Sequence, residues 1–251
     1  MSYSLYYWIQ RNFGGLRTID PVYDLKKSIA LTKLITESGL QVAGKSFLEI
    51  GTGRNINTPI GMWLCGASRI VTVDLNPYLK EELVMESLSS ICKNKKSIIK
   101  LFEGCSQWDD IEKKLSILST ITDLDSLFKK INIEYIAPVD AAALPLKDNS
   151  LDYHFSVDTL EHIPGKVIAR IFSEAKRILK NNGHVVHMID LTDHFSHDDQ
   201  SISTINFLKY SEQRWSKIAG NRFMYHNRIR AGQFEELLAI AGIKMIHKEE
   251  V

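Results

Sequence analysis

The chain has 251 residues, 31 Lys and Arg against 30 Asp and Glu, 44% hydrophobic and 24% charged residues. That composition excludes a disordered, collagen-like or disulfide-scaffold chain, and the length allows a core that stands without metals or disulfides. A net charge of +1 argues against a general polyanion binder, although a local basic patch can sit inside a neutral total.

Residues 3–11 form an aromatic cluster (Tyr3, Tyr6, Tyr7, Trp8) that ends at Gly14-Gly15. It is not the basic-then-apolar pattern of a signal peptide. Over 24–38, Leu25, Ile29, Leu31, Leu34 and Ile35 fall near one helical face. Ser46-Phe47-Leu48-Glu49-Ile50 reads as a strand running into Gly51-Thr52-Gly53, then a helix over 59–65 and the β-branched strand Arg69-Ile70-Val71-Thr72-Val73, which ends at Asp74. This is one βαβ unit. Further strands are predicted at 135–139, 151–157, 185–189 and 244–247, with helices over 166–180 and 235–241.

Strands alternating with helices predict an α/β fold, a Rossmann-like, doubly wound and mostly parallel sheet with helices on both faces. We expect a single domain over 1–251, with an N-terminal helical cap (1–40), a helical insertion after the second strand (76–134) and a substrate-side insertion (191–232). About 60 residues separate the second and third strands, more than one crossover helix needs. Cys65, Cys92 and Cys105 have no metal-site spacing and read as reduced thiols. No segment approaches the ~18 apolar residues of a membrane span, so the cytoplasm is the expected compartment and no membrane partner is expected.

Glycines at 51 and 53, just past a strand, let the backbone approach a ligand closely. Asp74, 21 residues after Gly53, can accept hydrogen bonds from both hydroxyls of a ribose. A nicotinamide fingerprint requires a third glycine where this chain has Ile56, and a Walker loop requires a G-K-[ST] that 54–56 does not supply. The stretch Phe47-Leu48-Glu49-Ile50-Gly51-Thr52-Gly53 resembles the first motif of class I S-adenosylmethionine-dependent methyltransferases, of a small-molecule, type-11-like kind. Val71-Thr72-Val73-Asp74-Leu75-Asn76 resembles the second. Val139-Asp140-Ala141 with 144–152 is similar to the third and the start of the fourth, and Leu160-Glu161-His162-Ile163 and 176–183 to the later ones.

The resemblance covers 46–190. It departs at Asn55, where many members carry a glycine, and the usual seventh, antiparallel strand is expected to be missing, replaced or outside this sequence. It implies S-adenosylmethionine as cofactor. Gly51, Thr52 and Gly53 would then approach its methionine moiety, Glu49 its ammonium, Asp74 its ribose, and Asp140 and Ala141 its adenine, with Leu75 and Val157 completing the set. A cationic sulfonium and ammonium also favour carboxylates physically, and Glu49, Asp74, Asp140 and Asp158 all fall at carboxyl ends of strands.

Methyl transfer to a hydroxyl needs a base, and 187–199 lies at the exit of the fifth predicted strand. His194 is the first candidate, oriented by Asp190 or Asp193, with His187 second; His187 can equally be a satisfied strand residue. His197, Asp198 and Asp199 read as a helix start. A metal site from His187, Asp190, His194 and His197 is conceivable, but no zinc-motif spacing supports it and no metal is expected.

Residues 209–230 carry six basic residues against Glu212. There Arg222, Tyr225, His226 and Arg228 are candidates for holding an anionic or aromatic acceptor. The expected activity is methyl transfer to a hydroxyl or amine of a small molecule, such as a sugar, nucleotide-sugar or specialised metabolite. An RNA or protein methyltransferase, or a non-catalytic protein keeping the fold, is the alternative. Nucleic acid is not the expected partner, and a homodimer is left open.

Overall fold

The run Ser46–Ile50 is buried at every position but the first, as a strand covered on both faces must be. In the computed structural model, which describes residues 2–105, 108–221 and 224–249, it is the first of five strands. In chain order the elements are α1 (Tyr3–Phe13), α2 (Val22–Glu37), β1 (Ser46–Ile50), α3 (Asn57–Leu64), β2 (Arg69–Val73), α4 (Glu81–Lys93), α5 (Lys95–Leu101), α6 (Trp108–Leu118) and α7 (Leu124–Ile131). Then come β3 (Ile133–Ile136), β4 (Leu151–Val157), α8 (Gly165–Ile178), β5 (Leu179–Met188), α9 (Phe195–Asp198), α10 (Glu212–Ala219) and α11 (Ala231–Ile240). Single 3₁₀ turns occupy Leu160–His162 and Asn206–Lys209.

The strands form one parallel sheet in the order β3-β2-β1-β4-β5, an α/β Rossmann-like arrangement. The insertion after β2 is helical, α4 to α7. The chain divides into two compact units. One holds Met1–Ser46, Thr52–Thr72 and Pro77–Tyr135, the other Phe47–Gly51, Val73–Asn76 and Ile136–Val251.

In the first unit α2 packs on α3 where Gly61 admits Ser28: a Cβ at 61 would lie 2.3 Å from the Ser28 hydroxyl oxygen. Asp123 and Ser126 close a capping box at the start of α7. The N-terminal aromatics lie on α1, where the Tyr7 hydroxyl donates to Glu82 of α4 at 2.6 Å and Arg11 pairs with Glu86. The Arg54 guanidinium lies 5.4 Å from the Tyr6 ring centre and 5.9 Å from that of Tyr78.

In the second unit β4 lies between β1 and β5, with Phe47 opposite Tyr153 and Phe155 opposite Val186. The Phe47 and Tyr153 rings stack at 4.6 Å. Helix α11 packs on α8 around Leu160, Ile168, Phe172 and Phe234.

Three expectations change. The third strand is Ile133–Ile136, because Pro138 has no N–H to give to a ladder. No strand forms at 244–247 among the described residues. Lys248 instead bonds Glu235 of α11 at 3.0 Å, and Ile243 packs with Phe234, so the segment follows α11 and gains no ladder. His197 and Asp198 end α9 and do not start it; the helix begins at Phe195, whose N–H donates to the Asp193 carboxylate at 3.0 Å. The three cysteines are free, and no helix among the described residues is long and apolar enough to cross a membrane.

His154 and His187, side by side on β4 and β5, have ring centres 5.2 Å apart. Burial lowers His154 to about 4 and, with His154 beside it, holds His187 well below the usual range. A depressed folded-state histidine adds no pH dependence above ~6.5, its unfolded value, because both states are then neutral. As pH falls from there toward 4, the unfolded chain takes up protons that the folded one refuses. Stability should drop by at most about 1.4 kcal/mol per pH unit for each histidine. Urea unfolding at pH 7.5 and 5.5 reads this loss, and equal stability at both would contradict a buried neutral pair.

Candidate active site

The strand order reverses between β1 and β4, and in open α/β sheets ligands gather outside the carboxyl ends at such a point. The second unit places acids there from every strand: Glu49 near the end of β1, Asp74 after β2, Asp140 after β3, Asp158 after β4 and Asp190 after β5. Glu49 is buried, Asp74 half-buried and Asp140 exposed. The backbone ties two of them together, since Val139 N–H donates to the Asp74 carbonyl at 2.9 Å. Asp74 also accepts from the Asn76 N–H at 2.9 Å, and Asp140 from that of Ala142 at 2.9 Å. The other Asp140 oxygen lies 3.2 Å from Arg170 on the surface.

Gly51 has φ +89° and its N–H donates to the Val73 carbonyl at 2.8 Å; a Cβ would sit 2.5 Å from the Thr159 methyl. Only glycine fits there. Leu75 is exposed, while Ala141 and Val157 are half-buried. Thr52 and Gly53 belong to the first unit, where the Thr52 hydroxyl lies 2.7 Å from that of Thr72 and nothing stands within 4 Å of a Cβ built on Gly53.

A second group of polar side chains lies past the ends of β4 and β5. His194 stacks on His226 at 4.3 Å between ring centres, with His162 at 5.1 Å and His197 at 5.0 Å from His194. Asp190 is the acid that faces them, with one carboxylate oxygen 3.4 Å from His194 Nε2 and 3.3 Å from His197 Nε2. Thr192 donates to the other oxygen through its N–H and its hydroxyl. Asp193 is spent elsewhere, accepting from Phe195 N–H and from the Asn206 side chain at 3.1 Å. Of the two acids, Asp190 is the one that lies beside His194. His187 does not join the group; its Nδ1 pairs with the Ser156 hydroxyl at 2.8 Å inside the sheet.

The residue missed by sequence reasoning is Glu161. It is 1% exposed, and neither of its carboxylate oxygens makes a hydrogen bond. Burial pushes its pKa up to about 8; its own N–H and that of Asp190 lie near enough to oppose this in part, while the Asp158 and Asp190 carboxylates add to the rise. Burial, then the neighbouring His162, lowers His194, against the pull of Asp190. His226 falls to about 4, through burial first and then the other histidines. For Asp190 burial works upward, but the Thr192 hydrogen bonds and the two histidines prevail and hold it down. Burial thus disfavours the charged forms of His194, His226 and Glu161 alike.

Asn227 sets this geometry. Its side-chain amide donates to the Leu160 and Ile163 carbonyls at 2.8 Å each, and its N–H to the Glu161 carbonyl at 2.7 Å. The Tyr225 carbonyl accepts from His162 Nδ1 at 2.8 Å. His226 therefore lies in this group of side chains, and Tyr225 meets it through its backbone carbonyl. Arg228 is placed otherwise than as an anion clamp: it donates to the Phe207 carbonyl at 2.9 Å and that of Tyr210 at 2.5 Å, and pairs with Glu212. Its guanidinium lies 5.9 Å from the Trp215 ring centre, so it builds the 206–215 segment. Arg222 lies outside the described residues.

Comparison with known proteins agrees with this architecture. No curated protein sequence matches the chain. The family model described as "Methyltransferase domain" matches residues 120–187, a stretch that begins after the Gly51–Gly53 turn and ends in β5. Magnesium protoporphyrin IX methyltransferase from Synechocystis PCC 6803, solved with bound S-adenosylhomocysteine, is 11% identical with a TM-score of 0.51, over 98% of this chain and 86% of that one. A protein from Methanococcus maripaludis assigned as an S-adenosyl-L-methionine-dependent methyltransferase is 16% identical, TM-score 0.49, over 96% and 84%. One from Bacillus halodurans assigned as a methyltransferase is 17% identical, TM-score 0.47, over 84% and 68%. At such identities the structural likeness is one of fold. The comparisons show an α/β Rossmann-like fold and, over residues 120–187, a likeness to a methyltransferase domain.

Proposed function

We propose that the chain transfers the methyl group of S-adenosylmethionine to a hydroxyl or amine of a small molecule, such as a sugar, nucleotide-sugar or specialised metabolite. The observation that carries the acceptor type is the group of Glu161, His162, His194 and His226 with Asp190, past the ends of β4 and β5. A hydroxyl or an ammonium must lose a proton, and neutral imidazoles held beside a carboxylate are suited to removing one. His194 is the residue on which that removal depends. Glu49, Gly51, Asp74, Leu75, Asp140, Ala141 and Val157 hold the cofactor: the acidic set favours its sulfonium and ammonium, and Asp74 takes the ribose hydroxyls.

The reaction itself is an in-line displacement at carbon. Alignment of the two reactants can supply about 7–11 kcal/mol of the barrier reduction, and proton removal about 10²–10⁴-fold more. These contributions separate by mutation. Asp74→Ala should weaken S-adenosylhomocysteine binding at least about tenfold, roughly the loss of one or two hydrogen bonds to a partly buried carboxylate; unchanged affinity would remove Asp74 from the ribose site. His194→Ala should lower turnover by about 10²-fold or more with cofactor affinity nearly intact. Undiminished turnover across a panel of sugar and phenolic acceptors would remove His194 from the chemistry.

A further inference from the structure

Glu161, His162 and His194 each turn one potential ligand atom into a common space, with all three atoms within 4.8 Å of one another. We propose that these side chains bind a divalent first-row transition ion, and that the ion's open positions take an oxygen or nitrogen of the acceptor.

Two imidazoles and one carboxylate suit Zn(II), Fe(II), Mn(II) or Co(II) and leave room for further ligands. Ligand atoms about 2.1 Å from a tetrahedral ion stand roughly 3.4 Å apart, so the three side chains reach an ion by closing roughly an ångström. Glu161 has the strongest need for it. A fully buried carboxyl group with neither oxygen hydrogen-bonded costs free energy, and a bound ion would recover it.

The histidine beside it is already set for ligation. The Tyr225 carbonyl can only accept, so His162 Nδ1 carries the proton in that 2.8 Å bond and Nε2 keeps its lone pair. His162 is also exposed, which gives an ion a way in. The Asp158 and Asp190 carboxylates act on Glu161 from nearby, and Asp190 lies 3.4 Å from His194, so the surroundings favour a cation over an anion. The sequence set considered for a metal shared only His194 with this one.

The ion's part in turnover rests on the methyl-transfer reading, whereas its binding does not. A hydroxyl bound to the ion would release its proton to solvent, its oxygen would form the bond to carbon, and the cofactor sulfur would keep the electron pair of the breaking S–C bond. His194 would then act on the acceptor's proton as a ligand of the ion.

The test is isothermal titration of the full, metal-stripped chain with Zn(II), backed by visible absorption of the Co(II) form, with S-adenosylhomocysteine titrated separately. One equivalent of Zn(II) should bind with a Kd below about 10 μM. His162→Asn, an exposed change that leaves the core untouched, and Glu161→Gln should each weaken it at least about tenfold. His247→Asn, outside the cluster, should not. Binding weaker than that threshold, or affinity unmoved by His162→Asn, would overturn the site. Loss of S-adenosylhomocysteine binding with Zn(II) binding intact would instead strike the methyl-transfer reading.

Discussion

Three hydrogen bonds from Asn227 hold together the group of side chains past β4 and β5. They fasten the segment carrying Tyr225 and His226 to the 3₁₀ turn Leu160–His162, which follows β4 directly. Without that tie, Glu161 and His162 on one side and His226 on the other would be independent loop residues. With it, His226 stacks on His194, and the Tyr225 carbonyl fixes the tautomer of His162. Asn227, Leu160 and Glu161 are buried and Ile163 half-buried, so the three Asn227 bonds also satisfy backbone groups largely withdrawn from water.

A second constraint acts at the start of the same region. Gly51 passes so close to Thr159 that no side chain fits, which brings the end of β1 up to the residues that follow β4. In the βα turns of dinucleotide folds, glycine is commonly explained by close approach to a ligand. Here the approach to Thr159 is already sufficient reason for Gly51. The backbone of Thr159 leads on to Leu160, Glu161 and His162, so Gly51 lies against the stretch of chain that carries Glu161 and His162.

The parts of this architecture that sequence reveals are those written in local patterns. The apolar run before Gly51, the β-branched run before Asp74 and the alternation of strand and helix identify the sheet and the acids at its carboxyl ends, because burial on both faces demands such runs. The placing of an acid near His194 was legible too, since residues four apart can meet, although two acids were in reach and only the fold puts Asp190 beside His194 and Asp193 against Phe195 and Asn206. The buried state of Glu161 was not legible. It depends on Asn227, 66 positions away, and nothing in the type of either residue announces the contact. The same holds for Arg228, which resembled an anion clamp by composition and is committed to the carbonyls of Phe207 and Tyr210. The run at 244–247 has strand composition, but α11 and not a neighbouring strand claims it.

Everything proposed for the acceptor presupposes that the acids at the carboxyl ends of β1, β2 and β3 hold S-adenosylmethionine. Calorimetric titration of the purified chain with S-adenosylhomocysteine, beside NAD as control, tests this most directly. The account predicts one site of micromolar affinity for S-adenosylhomocysteine and none for NAD. Absence of S-adenosylhomocysteine binding, or binding of NAD in its place, would contradict it.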